Sequence, residues 1–141
     1  MFNKILVAVD IQEPADSVRL LKAADQLVQQ FGSSVHVTTV MPGYGMSIVA
    51  SYFPPDAKAS AKKELESRLA KLVMNNLSVK ATTSVSEGKS AQEILKTAKR
   101  RKSDLILIGC HSHSKIQDAL LGSCGTKVAQ NAPCSVMIIR A

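Results

Sequence analysis

The chain has 141 residues, of which 45% are hydrophobic and 21% are charged, and this balance fits one globular domain with a sizeable core. No apolar run approaches the roughly 18 residues of a membrane-spanning helix. No small-residue cleavage site follows the short apolar start, so neither a membrane partner nor a signal peptide is expected. The three cysteines lack the spacing of a disulfide framework and predict free thiols in a reducing cytoplasm.

The formal net charge is +7, and the densest basic cluster is Lys99-Arg100-Arg101-Lys102. The cluster closes an amphipathic stretch that begins near Ser90. Cations are favoured at the C-terminus of a helix by its dipole, so the preferred interpretation is a solvated helix end. A nucleic-acid partner is not expected, because no aromatic residue lies beside the cluster to stack on bases.

Short apolar or β-branched runs alternate along the chain with helical patterns. In chain order the prediction is a strand at Ile5 to Val9, a helix from Asp16 or Ser17 to Phe31, a strand at Val35 to Val40, a loop from Met41 to Pro55, a helix from Ala57 to Asn76, a strand at Val79 to Val85, a helix from Ser90 to Ala98, a strand at Leu105 to Ile108, a helix from about Leu120 to Asn131 and a strand at Val136 to Ile139. This alternation predicts one α/β domain over residues 1–141, with a parallel sheet between two layers of helices.

Three local features carry separate predictions. Ser90 and Glu93 match a capping box, and Ser123 is expected to cap the last helix. The threonine-rich third strand is expected near an edge of the sheet. His36 lies within an apolar strand, where a packed or paired histidine is more common than a ligand.

The most informative motif is Gly109-Cys110-His111-Ser112, followed after nine residues by Gly122-Ser123. It follows an apolar strand and leads into a helix. Backbone N–H groups at a helix start favour an anion, and a glycine before them lets the main chain approach a ligand closely. Ligands of such sheets bind beyond the carboxyl ends of the strands. The motif therefore indicates half of a nucleotide phosphate site.

Other chemistry fits this region less well. Cys110, His111, His113 and Cys124 lack the ligand spacing of a structural zinc site. A nucleophile at Ser112 or Ser123 would need a positioned base and third group, and the Gly-x-Ser-x-Gly pattern is absent. The P-loop pattern is absent as well. Asp10, at the end of the first strand, either caps a turn or holds a ribose or a Mg²⁺ carried by a nucleotide.

The start Lys4 to Asp10, the motif Gly109-x-x-Ser112-x9-Gly122-Ser123 and the segment Ala132 to Val136 together resemble the universal stress protein (UspA-like) family. The resemblance covers essentially the whole chain and is strongest to the UspF-type branch. It implies a Rossmann-like fold with strand order 3-2-1-4-5, ATP with Mg²⁺ near Asp10, and a homodimer through Val136 to Ile139.

The resemblance also implies the residues of the nucleotide site. These are Ala8, Asp10, Val40, Ile108, Gly109, Ser112, Gly122, Ser123 and Cys124. Ser112 stands where ATP-binding members have a second glycine, and a serine at positive φ would cost about 1 kcal/mol. The loop Met41 to Pro55 either packs over helix ends or forms a flap over adenine.

The function that best fits these features is an ATP-binding stress sensor or regulator with at most weak ATPase activity. The motif lacks a convincing general base and a P-loop lysine. Two alternatives stay open. One is a dimeric interaction protein that does not depend on nucleotide, since Ser112 could have degraded the pocket. The other is a slow ATPase or a phosphorylated regulator.

Overall fold

The structure is a computed structural model that describes residues 1–42, 55–110 and 122–140. Its strands are β1 (Lys4–Ala8), β2 (Ser34–Pro42), β3 (Thr82–Gly88), β4 (Leu105–Gly109) and β5 (Ser135–Ile139). Its helices are α1 (Pro14–Phe31), α2 (Pro55–Asn76), α3 (Ser90–Arg101) and α4 (Ser123–Asn131). None of the helices in these ranges has a window apolar and long enough to cross a bilayer.

The five strands form one sheet with the order β3-β2-β1-β4-β5, and every neighbouring pair is parallel. The predicted Rossmann-like order is therefore confirmed, and the threonine-rich β3 lies at an edge as expected. The chain leaves β1 in one direction for β2 and β3 and then crosses to the other side for β4 and β5. The strand order consequently reverses between β1 and β4, where doubly wound sheets bind ligands.

The side chains of β1, and of Val9 just beyond its end, alternate between two hydrophobic cores. Ile5, Val7 and Val9 pack with α1 and α2 on one face of the sheet, whereas Leu6 packs with α3 and α4 on the other. Both faces of the central strands are therefore covered, which explains why β1 and β4 have uninterrupted apolar sequences. The sheet thus lies between two layers of helices and holds the carboxyl ends of its strands at one edge.

The boundaries of several elements differ from the prediction. Helix α1 begins at Pro14, because proline suits the first turn of a helix, and α2 likewise begins at Pro55. Strand β2 continues to Pro42, into the predicted loop, while β3 begins only at Thr82. Residues 43–54 of that loop, with the predicted flap, and the start of the last helix at Leu120 lie outside the described residues.

Both predicted side-chain caps are wrong. In α3 the N-cap is the extended residue Lys89, with no side-chain cap, and Ser90 is already helical. The Glu93 carboxylate instead meets Lys96 at 3.3 Å and lies beneath Gly88, whose φ is +139°. In α4 the N-cap is Gly122, so Ser123 occupies the first helical position and does not cap the helix.

Candidate functional site

A cavity of about 330 Å³ opens at the carboxyl edge of the sheet, around the point where the strand order reverses. The ends of β1, β2 and β4 form its floor, and the starts of α3 and α4 form part of its wall. Leu65 of α2 contributes from the other face of the sheet. The cavity volume lies at the lower end of the range of small-molecule sites.

Most of the residues predicted for the nucleotide site line this cavity. They are Ala8, Asp10, Val40, Ile108, Gly109, Gly122 and Cys124. Ser123 follows Gly122 in the first turn of α4 but does not line the cavity, and Ser112 lies outside the described residues. The fold therefore brings residues from both ends of the sequence together around this cavity. Their role in nucleotide binding stays a prediction.

The main chain of Val40 offers a donor and an acceptor to the cavity. The Thr38 carbonyl accepts a hydrogen bond of 2.9 Å from the Val9 N–H, so the backbone groups of Thr38 point towards β1. Backbone groups of every second residue point the same way along a strand, and those of Val40 therefore also point towards the β1 side. The pairing of β1 with β2 ends at Ala8 opposite Thr38. Within the described ranges, no group of the protein forms a hydrogen bond with the N–H or the C=O of Val40 on that side.

The start of α4 supplies a second set of donors. The Thr126 N–H is bonded to the Gly122 carbonyl at 3.0 Å, as the first bond of the helix. The N–H groups of Ser123, Cys124 and Gly125 precede this bond and have no acceptor within the helix. Gly122, Cys124 and Gly125 line the cavity. The helix start can therefore present several N–H groups, and the positive end of its dipole, to an anion.

Asp10 is exposed at the end of β1 and caps a turn. Its Oδ1 accepts the Gln12 N–H at 2.9 Å, and its carbonyl accepts the Ser17 hydroxyl at 2.7 Å. These bonds hold the carboxylate at the cavity mouth. Among the described residues no group donates to the second carboxylate oxygen, which can meet a ribose hydroxyl or a nucleotide-bound metal. The predicted turn cap is thus confirmed, and the ligand role remains a prediction.

Sequence reasoning missed several residues of the cavity wall. These are Val9, Ile11, Gln12, Thr38, Thr39, Met41, Leu65, Ser90, Ile94 and Gly125. Thr39 and Met41 flank the predicted Val40, so the strand end itself was a usable signal. Leu65 and Ile94 come from helices on opposite faces of the sheet and reach the cavity only through tertiary packing.

The thiols of Cys124 and Cys134 show no sign of activation. Burial raises the pKa of the Cys124 thiol, and the nearby Lys127 offsets only part of this effect. Burial also raises the pKa of Cys134, and the nearby Asp104 carboxylate adds to the increase. Thiols of this kind stay protonated at neutral pH and are poor nucleophiles and metal ligands. Across the described ranges no three His, Cys, Asp or Glu residues come together as a metal site.

His36 is buried and paired, as predicted. Its Nδ1 lies 2.6 Å from the Thr82 hydroxyl, and its Nε2 lies 2.8 Å from the Ser84 hydroxyl. The Ser84 hydroxyl donates to Thr38 Oγ1 at 3.1 Å. Because that hydroxyl proton is already used, Ser84 Oγ accepts from Nε2–H, and in a neutral ring Nδ1 accepts from the Thr82 hydroxyl. The network between β2 and β3 therefore satisfies both nitrogens of a neutral imidazole.

Comparison with known proteins agrees with the sequence motifs and the fold. The model of the universal stress protein family matches residues 1–140. Universal stress protein YxiE of Bacillus subtilis (strain 168) is 32% identical over 152 residues, which cover 99% of this chain and all of that protein. The chain therefore belongs to the universal stress protein family.

Solved structures show the same fold. The protein MJ0577 superposes with a TM-score of 0.79 at 21% identity, over 100% of this chain and 97% of that one. A universal stress protein in complex with cAMP gives 0.66 at 20% identity, covering 99% and 97% of the two chains. The Archaeoglobus fulgidus universal stress protein in complex with dAMP gives 0.64 at 21% identity and covers 98% of each chain.

Proposed function

We propose that this protein binds an adenine nucleotide, with ATP as the preferred ligand, and acts as a stress-response sensor or regulator. The observation that carries the proposal is the joining of two complementary features in one cavity. The backbone groups of Val40 lie on one side and the N–H groups of the α4 start lie on the other, and within the described ranges neither set is hydrogen-bonded by another backbone group. A ligand with a flat donor–acceptor edge and an anionic end matches both.

Adenine suits the side of the cavity beside Val40. Its N6 amino group can donate to the Val40 carbonyl while its N1 accepts the Val40 N–H, and the base is otherwise a flat surface. Apolar side chains nearby, including Met41 and Ile94, can cover its faces. The family members in complex with cAMP and dAMP support an adenine ligand in this fold.

The phosphates suit the start of α4. No lysine or arginine lines the cavity within the described ranges, so the donors there are backbone N–H groups of the kind that bind phosphate at helix starts. The Asp10 carboxylate at the cavity mouth would repel a bare phosphate. We therefore assign Asp10 to the ribose hydroxyls or to a Mg²⁺ between carboxylate and phosphate, with the Mg²⁺ supplied by the nucleotide.

Binding without efficient hydrolysis fits the same residues. Asp10 and Cys124 are the titratable groups that line the described cavity, and the raised pKa of Cys124 keeps its thiol protonated at neutral pH, so it cannot accept a proton. A general base for water would therefore have to be Asp10, which the proposal uses for binding. We assign the protein a regulatory role with at most weak ATPase activity.

The wider setting is also part of the proposal. The resemblance around Ser112 favours the UspF-type branch of the family. The match of the family model over residues 1–140 favours a single domain. The free thiols favour a location in the cytoplasm. The homodimer is proposed to form through β5, which pairs with β4 alone among the described strands.

Isothermal titration and thermal unfolding with ATP, with and without Mg²⁺, test the nucleotide proposal. At a ligand concentration of about 100 times the dissociation constant, binding should raise the free energy of unfolding by about 2.7 kcal/mol. Guanine nucleotides should bind more weakly, because guanine presents a carbonyl where Val40 needs an amino donor. A folded sample that shows neither heat nor stabilisation with ATP would falsify the proposal.

Substitutions of Gly122 provide a matched pair of variants. Gly122 has φ −53° and is the N-cap of α4, so both Asp and Asn are good capping residues there. Gly122→Asp places a negative charge beside the phosphates, whereas Gly122→Asn has nearly the same size without the charge. We expect Gly122→Asp to bind ATP at least about tenfold more weakly than Gly122→Asn, with no loss of stability. If nucleotide binding is lost but activity in cells persists, the interaction-protein alternative gains support.

A further inference from the structure

The edge of the sheet opposite the cavity carries an unusual combination of exposed side chains. Here the strands begin and the preceding helices end. The connections are tied together, because Asp104 accepts the N–H groups of Asn3 at 2.8 Å and Lys4 at 2.9 Å. The Ser34 N–H in turn donates to the Asn3 carbonyl at 2.9 Å. The chain start, the end of α1 and the end of α3 therefore form one continuous surface, which we call the amino-edge face.

Exposed large apolar side chains collect on the amino-edge face. Across the described residues there are three of them, namely Met1 at 91% exposure, Phe31 at 37% and Met74 at 78%. Phe31 ends α1 and contacts Phe2, with ring centroids 5.6 Å apart. Met74 lies in the last turn of α2, and the end of that helix is joined to α1 where Gln29 Nε2 donates to Ser78 Oγ at 2.9 Å. All three apolar side chains thus lie at the same end of the molecule.

Cations lie at the same edge of the sheet as these apolar side chains. The exposed basic residues of the amino-edge face are Lys4, Lys80, Lys99, Arg100, Arg101 and Lys102. In the described part of the chain, none of them forms an ion pair with a carboxylate. The carboxylates of these connections, Asp25 and Asp104, are instead engaged by backbone N–H groups. The face therefore has a large surplus of positive charge.

Lys102 adds an independent observation. It has φ +54° and ψ 44°, and it is the one non-glycine residue at positive φ within the described ranges. At the corresponding position of α1 the chain has glycine, at Gly32. A lysine in this conformation is strained relative to glycine. A cation is therefore present at the amino-edge face in spite of a local conformational cost.

We propose that the amino-edge face docks on an anionic lipid bilayer. Cations alone would suit any polyanion, but exposed methionine and phenylalanine side chains gain nothing from a phosphate backbone or an acidic peptide. Peripheral attachment to a membrane uses both features, because apolar side chains enter the interface while cations meet anionic headgroups. This proposal departs from the expectation of no membrane partner, which was drawn from the lack of an apolar run long enough to span a bilayer. The nucleotide cavity, at the other edge, would face away from the bilayer.

Flotation of the full chain with vesicles tests the proposal. Phosphatidylcholine vesicles with and without phosphatidylglycerol are compared at low and at physiological ionic strength. The protein should bind the anionic vesicles, leave the neutral ones free, and bind more weakly as salt increases. The absence of binding to anionic vesicles at low ionic strength, by a folded sample, would overturn the proposal.

Variants locate the surface. K99Q/R100Q/R101Q should weaken binding by roughly 100-fold, because each cation near an anionic surface contributes about a factor of five. K22Q/K62Q/K63Q removes the same charge from exposed positions on α1 and α2 away from this edge, and should weaken binding far less. An equal loss in both triple variants would overturn the assignment of this face. Unchanged thermal unfolding shows that each variant is folded.

The apolar contribution separates a membrane from other polyanions. Met74→Gln, at an exposed position that should tolerate the change, is expected to weaken vesicle binding by about three- to tenfold. If Met74→Gln has no effect and the protein binds soluble polyglutamate or duplex DNA as tightly as vesicles, the bilayer assignment is wrong. An acidic macromolecule is then the partner of this face.

Discussion

His36 shows how one buried residue ties stability to pH. Burial lowers its pKa from 6.5 to about 4, and the positive charges of Arg101 and Arg100 contribute to the decrease. The folded protein therefore favours the neutral ring more strongly than the unfolded chain does. Protonation would also require Nδ1 to become a donor and the Thr82 hydroxyl to turn away.

The consequence is a loss of stability in mild acid. Above pH 6.5 the ring is neutral in both states, so its full contribution is present. As pH falls from 6.5 towards 4, the unfolded chain takes up a proton that the folded protein refuses, and the free energy of unfolding should fall by up to about 1.4 kcal/mol per pH unit. Urea unfolding of wild type and His36→Gln across this range measures the difference. A constant difference between the two proteins would contradict the prediction.

The C-termini of α1 and α3 offer a comparison at the residue scale. Gly32 and Lys102 both adopt the left-handed conformation after a helix. Gly32→Ala should lower the free energy of unfolding by about 1 kcal/mol, and since a Cβ at Gly32 meets no atom within 4 Å, the cost is conformational. Lys102→Gly should raise it by a similar amount. Denaturant titration of both variants checks the opposite signs, and two changes in the same direction would refute the shared explanation.

At the scale of elements, β5 is one of the two edge strands of the sheet, so part of its backbone faces away from its single neighbour β4. The Cys110 N–H donates to the Ile139 carbonyl at 3.2 Å, so Ile139 points towards β4. Alternation along the strand then directs the N–H groups of Val136 and Ile138 away from β4. Exposed edges of this kind are normally paired or covered, and pairing with a second copy is the simplest solution.

Proline substitutions test this pairing. Val136→Pro removes an outward N–H and no bond to β4, so we expect the proposed dimer to weaken while the monomer stays folded. Met137→Pro removes an N–H that points towards β4, and should instead lower the stability of the monomer. Analytical ultracentrifugation and thermal unfolding separate the two effects. A Val136→Pro protein with an unchanged dimer would show that β5 is not the interface.

Elements with one strong physical signal are the ones that sequence predicts well. Strand β1 is apolar on both faces because both faces are buried, and the carboxyl ends of parallel strands must share an edge, so Asp10, Val40 and Gly109 could be placed together. Helix starts are less predictable. The Ser90 capping box fails because Lys89 takes the cap position and Glu93 packs under Gly88, and neither fact has a local signature.

At the scale of the whole molecule, the parallel sheet separates two surfaces of different chemistry. The cavity and the helix starts that surround it lie at one edge, and the cations and exposed apolar side chains lie at the other. The contribution of α2 and α3 to the cavity could not be predicted from sequence, since it depends on how deeply these helices pack on the sheet. The sequence showed the basic cluster Lys99 to Lys102, but it did not show that Lys4 and Lys80 lie at the same edge of the sheet.

The common direction of the strands has a consequence for a dimer formed through β5. Two identical edges related by a two-fold axis pair antiparallel, so strand direction reverses at the interface. The cavities of the two subunits would then open at opposite ends of a ten-stranded sheet. Each cavity would bind its nucleotide without contact with the other. The amino-edge faces would also point in opposite directions. A dimer of this kind would bind two membranes at once and tether them to each other. It would therefore cluster vesicles, whereas a monomer would bind to single vesicles without clustering them.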